Sequence, residues 1–258
     1  MLQLTTWFNA NKLTLNSEKS SFTIFRSSRK QIPNLPEKIE FLDQHIKRAS
    51  HNKFLGVILD EKLTWNNQIN ELCSKLKRLF HIFYNIRNYL LKDNIKTIYF
   101  ALVYSRIKYW ISVYGQACES KLKRIQTLQN QLLKVLSSKN YRFSTDMLHN
   151  EFELQKVKEI VKQEVITFVH NFFSNSLPPV FDGYFETLVS YHNRNTRYGS
   201  NLIRIQNHYT DIAASSIKIQ GAKVWNNLNN DLKKVDKVKN FRKKFKFSCF
   251  SYERSQGR

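Results

Sequence analysis

Carboxylates are scarce in this chain: 20 Asp and Glu stand against 42 Lys and Arg over 258 residues, a formal charge of +22. No Asp-Asp pair occurs, and Asp60-Glu61 is the only adjacent acidic pair. Chemistry that holds two divalent cations between closely set carboxylates therefore has no evident seat here, and the pair itself reads as a turn. Cysteine is equally sparse. Cys73, Cys118 and Cys249 are isolated and odd in number, which argues against a disulfide framework or a zinc site and for a reducing compartment. The longest purely apolar run, residues 98–104, is too short to cross a bilayer, and no charged-then-apolar leader is present. The expectation is an intracellular protein, cytoplasmic or nuclear, with no membrane partner. Glycine-rich phosphate loops, metal-spaced histidine pairs, a Ser-His-Asp order, internal repeats and low-complexity linkers are all missing.

What is present suits a folded, polyanion-binding protein. Hydrophobic residues make up 41% and aromatics 14%, enough to bury a core in one or two globular units. The cation excess recurs in every segment, and each cation set beside a phosphate releases condensed counterions. Nucleic acid is the candidate partner that ranks first, ahead of an anionic membrane surface, which is not the expected one.

The spacing of apolar residues predicts an α+β fold, mostly α. Residues 1–9 have the pattern of the last turns of an amphipathic helix. Leu13 and Leu15, then Phe22, Ile24 and Phe25, predict two short strands about a turn at 16–20, and residues 31–36 a proline-marked loop. Ile39, Phe41 and the run 53–59 supply further strands, the run read by itself as one buried strand with a bulge at Gly56. From Trp65 the period becomes helical. Ile69, Leu72, Cys73, Leu76, Phe80, Phe83 and Leu90 predict one long helix, followed by helices over 93–110, 121–136 and 154–173 that make a bundle. Pro178-Pro179 breaks the helical run and Asp182-Gly183 makes a turn; Arg194, Arg197, Tyr198 and Arg204 lie in an aperiodic polar stretch. Ile217, Ile219 and Gln220 predict a short strand before a helix over 221–228, and residues 238–246 a strongly basic amphipathic helix.

Three stretches occur in a telling order: Trp7-Phe8-Asn9-Ala10-Asn11-Lys12-Leu13-Thr14-Leu15-Asn16-Ser17-Glu18-Lys19-Ser20, then Lys53-Phe54-Leu55-Gly56-Val57-Ile58-Leu59-Asp60 running into Leu63-Thr64-Trp65, then Gly221-Ala222-Lys223-Val224-Trp225-Asn226-Asn227-Leu228. This set resembles the C-terminal part of the reverse transcriptases of non-LTR (LINE-type, jockey-like) retrotransposons. The resemblance implies a small β-rich palm remnant with a primer-grip-like hairpin (1–62), a thumb-like helical bundle (63–140) and a basic post-thumb region (141–258). Lys19 matches the family's motif lysine near the incoming triphosphate, here expected to be vestigial. Phe54, Leu55 and Gly56 match the primer grip, where a glycine lets backbone approach a phosphate closely. Lys75, Lys77 and Arg78 in the thumb-like helices, and Arg242, Lys243 and Lys244 in the C-terminal cluster, are the candidate nucleic-acid contacts, while Trp225 is expected to anchor a core.

The family's catalytic aspartates belong upstream of the Trp7 stretch, so Mg2+ is expected only for the complete polymerase and no cofactor for this chain. The implied activity is binding of RNA or an RNA–DNA hybrid without primer extension, with the N-terminal polymerase region as a further candidate partner. The alternative is a basic helical RNA- or DNA-binding or interaction module no longer tied to reverse transcription.

Overall fold

The computed structural model describes residues 2–27, 32–192 and 202–256. Arg194, Arg197 and Tyr198 lie outside them, as does the side chain of Cys249. The fold is α+β and mostly helical, in two compact units, 1–71 and 72–258.

The first unit opens with the helix Leu2–Ala10 and carries, among its described residues, five short strands. β2 (Lys38–Phe41) and β3 (Gln44–Arg48) form an antiparallel hairpin, and β1 (Ser21–Phe22) pairs parallel with β3. β4 (His51–Phe54) and β5 (Val57–Asp60) form a second hairpin, in register from Phe54↔Val57 to His51↔Asp60. Phe41, Ile46 and Val57 are buried, and the edge of the Phe8 ring meets Phe41.

Two expectations fail in this unit. Residues 13–15 and 24–25 are not strands. β-propensity forms a strand only where a neighbour accepts its ladder bonds, and Leu13 stays exposed after Lys12 leaves the helix at φ 51°. The run 53–59 is not one bulged strand either. Leu55 and Gly56 both take positive φ, 46° and 83°, so the glycine completes a two-residue hairpin turn of the kind whose twist matches the flanking strands.

In the second unit the long predicted helix is two. Asn66–Lys77 ends at Arg78, Leu79–Ile86 follows, and Leu90 lies beyond in extended backbone. Burial continues through the junction at three- and four-residue spacing, on Leu76, Leu79 and Phe83, so Leu79 rather than Phe80 is fully buried. The helix expected over 93–110 begins as Lys92–Ile98, widens to a π-helical stretch at Tyr99–Tyr104 and ends after Ser105–Lys108, with Trp110 left-handed at φ 57°. Glu119–Leu136 and Val157–Phe173 form where their periodicity predicts. Buried side chains link them: Gln129 donates to the Tyr99 hydroxyl and to the Gln155 carbonyl (2.9 Å), and Gln155 donates to Gln163.

The helix Val157–Phe173 packs against Ile111–Tyr114 and Glu119–Leu136, and also against Ile217–Asn226 and Val238–Gln256. With the last two it builds a core of Ile166, Val169, Phe185, Ile203, Ala222, Trp225, Phe241 and Phe245. Ile217–Asn226 replaces the predicted strand at 217–220. The Ser216 side chain accepts from the Ile219 N–H at its start, and burial of Ile219, Ala222 and Trp225 settles the period as helical. Gly221 permits that packing, since a Cβ there would stand 2.9 Å from Val169 Cγ2 and 3.2 Å from Phe185 Cζ.

Candidate nucleic-acid interface

The hairpin of the first unit presents its tip to solvent: Phe54 is 60% and Leu55 63% exposed, with Gly56 beside them. Its root is held from both sides. Asn52 on β4 accepts from Ser21 Oγ (2.6 Å) and donates to Thr23 Oγ1 (2.7 Å), while the Ile58 N–H on β5 donates to Gln68 Oε1 (2.9 Å). Two large apolar side chains thus stand in water on a turn fixed at its root.

Asp60 and Glu61 have structural work. The Asp60 carboxylate accepts from the N–H groups of Lys62 (3.2 Å), Thr64 (2.9 Å) and Trp65 (2.8 Å), closing the strand into the helix that follows. Glu61 accepts from Arg26 (2.6 Å) and lies 3.5 Å from Arg48; the Arg26 hydrogen bond, followed by the charges of Arg26, Arg48 and Lys62, holds its pKa below the usual carboxylate value against a desolvation that raises it. Among the described residues no group of three His, Cys, Asp or Glu is placed to hold a metal ion. These residues do not fit a two-metal polymerase centre, and no catalytic step is assigned to them. Lys19 is exposed in the 17–19 turn, its backbone N–H held by Asn16 Oδ1 at 3.1 Å.

In the second unit the expected contacts form two groups. Lys75 and Lys77 occupy the last turn of Asn66–Lys77, and Arg78 the junction after it, with Lys77 and Arg78 exposed and Lys75 half-buried. On Val238–Gln256, Lys243 and Lys244 are exposed. Arg242 is partly exposed and lies 3.4 Å from Glu164 Oε2 and 3.5 Å from Thr167 Oγ1. Lys233 and Lys246 are also partly internal, each with its pKa lowered first by burial; Lys246 feels Lys96 as well.

Much of the small acidic complement is engaged locally. Glu151 pairs with Lys92, Glu153 with Lys96, Asp146 with Lys156, Glu119 with Lys158 and Glu186 with Arg204, and Glu164 holds both Lys108 and Arg242. Sequence reasoning missed one cationic cluster. In the loop after Glu119–Leu136, Lys134 Nζ donates to the Tyr141 carbonyl, Arg142 Nε donates to the Tyr141 hydroxyl (2.7 Å), and Lys139 lies over the Phe143 ring (5.1 Å). A usable signal was the stretch 120–145, which contains no Asp or Glu.

No protein-family model matches the chain, and no solved structure matches it. Among curated proteins, the probable RNA-directed DNA polymerase from transposon X-element of Drosophila melanogaster is 28% identical over 154 residues, covering 58% of this chain and 16% of that protein. The RNA-directed DNA polymerase from mobile element jockey of Drosophila funebris is 25% identical over 160 residues, 61% of the chain and 17% of the relative. The probable RNA-directed DNA polymerase from transposon BS of Drosophila melanogaster is 23% identical over 163 residues, 62% and 18% respectively. The aligned stretches thus span less than a fifth of each relative's length. The family resemblance is borne out: over some three fifths of its length the chain is similar to RNA-directed DNA polymerases of non-LTR retrotransposons.

Proposed function

We propose that this chain is a template–primer-binding portion of a non-LTR retrotransposon reverse transcriptase, with the β4–β5 hairpin as primer grip and the helices after Trp65 in the place of the thumb. The observation that carries the reading is the hairpin itself, an exposed Phe54-Leu55 tip turned on Gly56 and rooted by Asn52 and Gln68. The curated relatives and the +22 charge support it. RNA–DNA hybrids are held by backbone and shape, and exposed cations such as Lys77, Arg78, Lys243 and Lys244 suit that task. Primer extension belongs to a complete polymerase with its Mg2+-binding aspartates, so this chain binds without copying.

The test is titration of the purified chain with a labelled RNA–DNA hybrid across a salt series, beside a primer-extension assay with Mg2+ or Mn2+. The expected result is binding whose log K falls linearly with log salt, by about 0.7 to 0.9 per phosphate contacted, and no extended product. A salt-independent affinity overturns the binding assignment; templated, metal-dependent synthesis overturns the assignment of catalysis to residues outside the chain.

A further inference from the structure

We infer that Gln68 is the positioning residue of the β4–β5 hairpin: its side-chain oxygen stands where the carbonyl of a third strand would, and through it the helix Asn66–Lys77 sets the pose of the Phe54-Leu55 tip. The inference rests on the nucleic-acid reading above and deepens it, since a tip that meets a duplex must be held in one orientation as well as displayed.

The hairpin forms a two-stranded sheet of its own, apart from the three-stranded sheet β1-β3-β2. Two strands alone are at best marginally stable in water. The Glu61 N–H donates to the Ser50 carbonyl at 2.9 Å, which continues the hairpin ladder past His51↔Asp60. Bonded and non-bonded pairs alternate along antiparallel strands, so Asn52↔Leu59 and Phe54↔Val57 are bonded pairs and Lys53↔Ile58 is not. The Ile58 N–H therefore points away from β4, along the outer edge of β5. A neighbouring strand would satisfy such a donor; here Gln68 Oε1 does, at 2.9 Å. Gln68 is itself buried and sits in the first turn of its helix. That turn is braced, because the Asp60 carboxylate accepts from the N–H groups of Thr64 and Trp65 just before it. On the opposite strand Asn52 is tied to Ser21 and Thr23, and Thr23 Oγ1 donates onward to the Ala49 carbonyl at 2.9 Å. Asn52 thus holds β4, and Gln68 holds β5 at the residue next to the closing pair Phe54↔Val57.

The experiment applies two readouts to the full chain, amide hydrogen exchange and titration with a labelled RNA–DNA hybrid. Gln68→Met keeps the length of the side chain and removes the accepting oxygen. It should speed exchange of the Asn52, Phe54, Val57 and Leu59 amides by about tenfold and weaken hybrid binding by about tenfold, while the amides of Glu119–Leu136 keep their wild-type rates. Gln68→Glu, which retains an acceptor, should keep the slow exchange. Added to Phe54→Ala with Leu55→Ala, Gln68→Met should cost no further affinity, because it acts through the tip that those changes remove. If wild type binds the hybrid but Gln68→Met exchanges like wild type, or Gln68→Glu loosens the hairpin as much, or the losses add in the combined variant, Gln68 does not set the pose and the hybrid-binding reading stands. If wild type binds no hybrid, the nucleic-acid reading falls and this inference falls with it.

Discussion

Leu55 holds a left-handed backbone conformation that costs an L-residue with a Cβ about 1 to 2 kcal/mol. Turns of this kind ordinarily use Asn-Gly or Asp-Gly, so leucine here is a strained choice. Leu55→Asn is expected to raise thermal stability by about 0.5 to 1 kcal/mol while lowering affinity for an RNA–DNA hybrid, a pair of shifts that denaturation and titration measure separately. Gly56→Ala should go the other way in stability, losing about 1 kcal/mol. Glu61 sets an acid limit. Its folded pKa lies below its unfolded value, so its contribution is fully present above the ordinary carboxylate range and is lost as pH falls through the depressed value. Glu61→Gln should lower stability at neutral pH and flatten that acid-side slope in pH-dependent melts. The role of Asp60-Glu61 as a strand-to-helix turn was legible from residue type; the pairing of Arg242 was not, because the partner Glu164 lies 78 positions away.

Among the elements, Ile217–Asn226 shows where a sequence pattern stops deciding. Ile217 and Ile219 fit alternation as well as they fit one turn of helix, and the period becomes plain only against the wall of Ile166, Val169 and Phe185 that Ala222 and Trp225 meet. Trp225 was legible as an anchor and is one: it is buried and stacks on Phe173 at 5.0 Å. Trp225→Ala should cost about 3 to 5 kcal/mol. Gly221→Ala, the addition of one methyl group against Val169, should cost about 1 to 3 kcal/mol. Chemical denaturation reads both, and a Gly221→Ala protein as stable as wild type would mean that the two helices can separate without loss. The break at Arg78 and the widened turn at Tyr99–Tyr104 were hidden for a common reason. Neither interrupts the succession of apolar residues.

For the whole molecule, composition made the cation excess legible but not which cations stand exposed, because pairing with acids distant in sequence decides that. Lys243 and Lys244 are exposed while Arg242 is tied to Glu164. Replacing Lys243 and Lys244 together with Ala should therefore reduce the salt slope of hybrid binding by roughly 1.4 to 1.8 if each meets one phosphate, with little change in melting. Arg242→Ala should instead lower stability slightly, by up to about 1 kcal/mol, and leave the slope nearly unchanged. The placement of Val157–Phe173 against helices on both sides has a kinetic consequence. Neither neighbour can be peeled away without baring a face of this helix, so its central amides, from Val165 to Val169, should exchange deuterium only when the second unit opens as a whole. Any ligand that grips that unit would then slow the same few amides, wherever on its surface it binds.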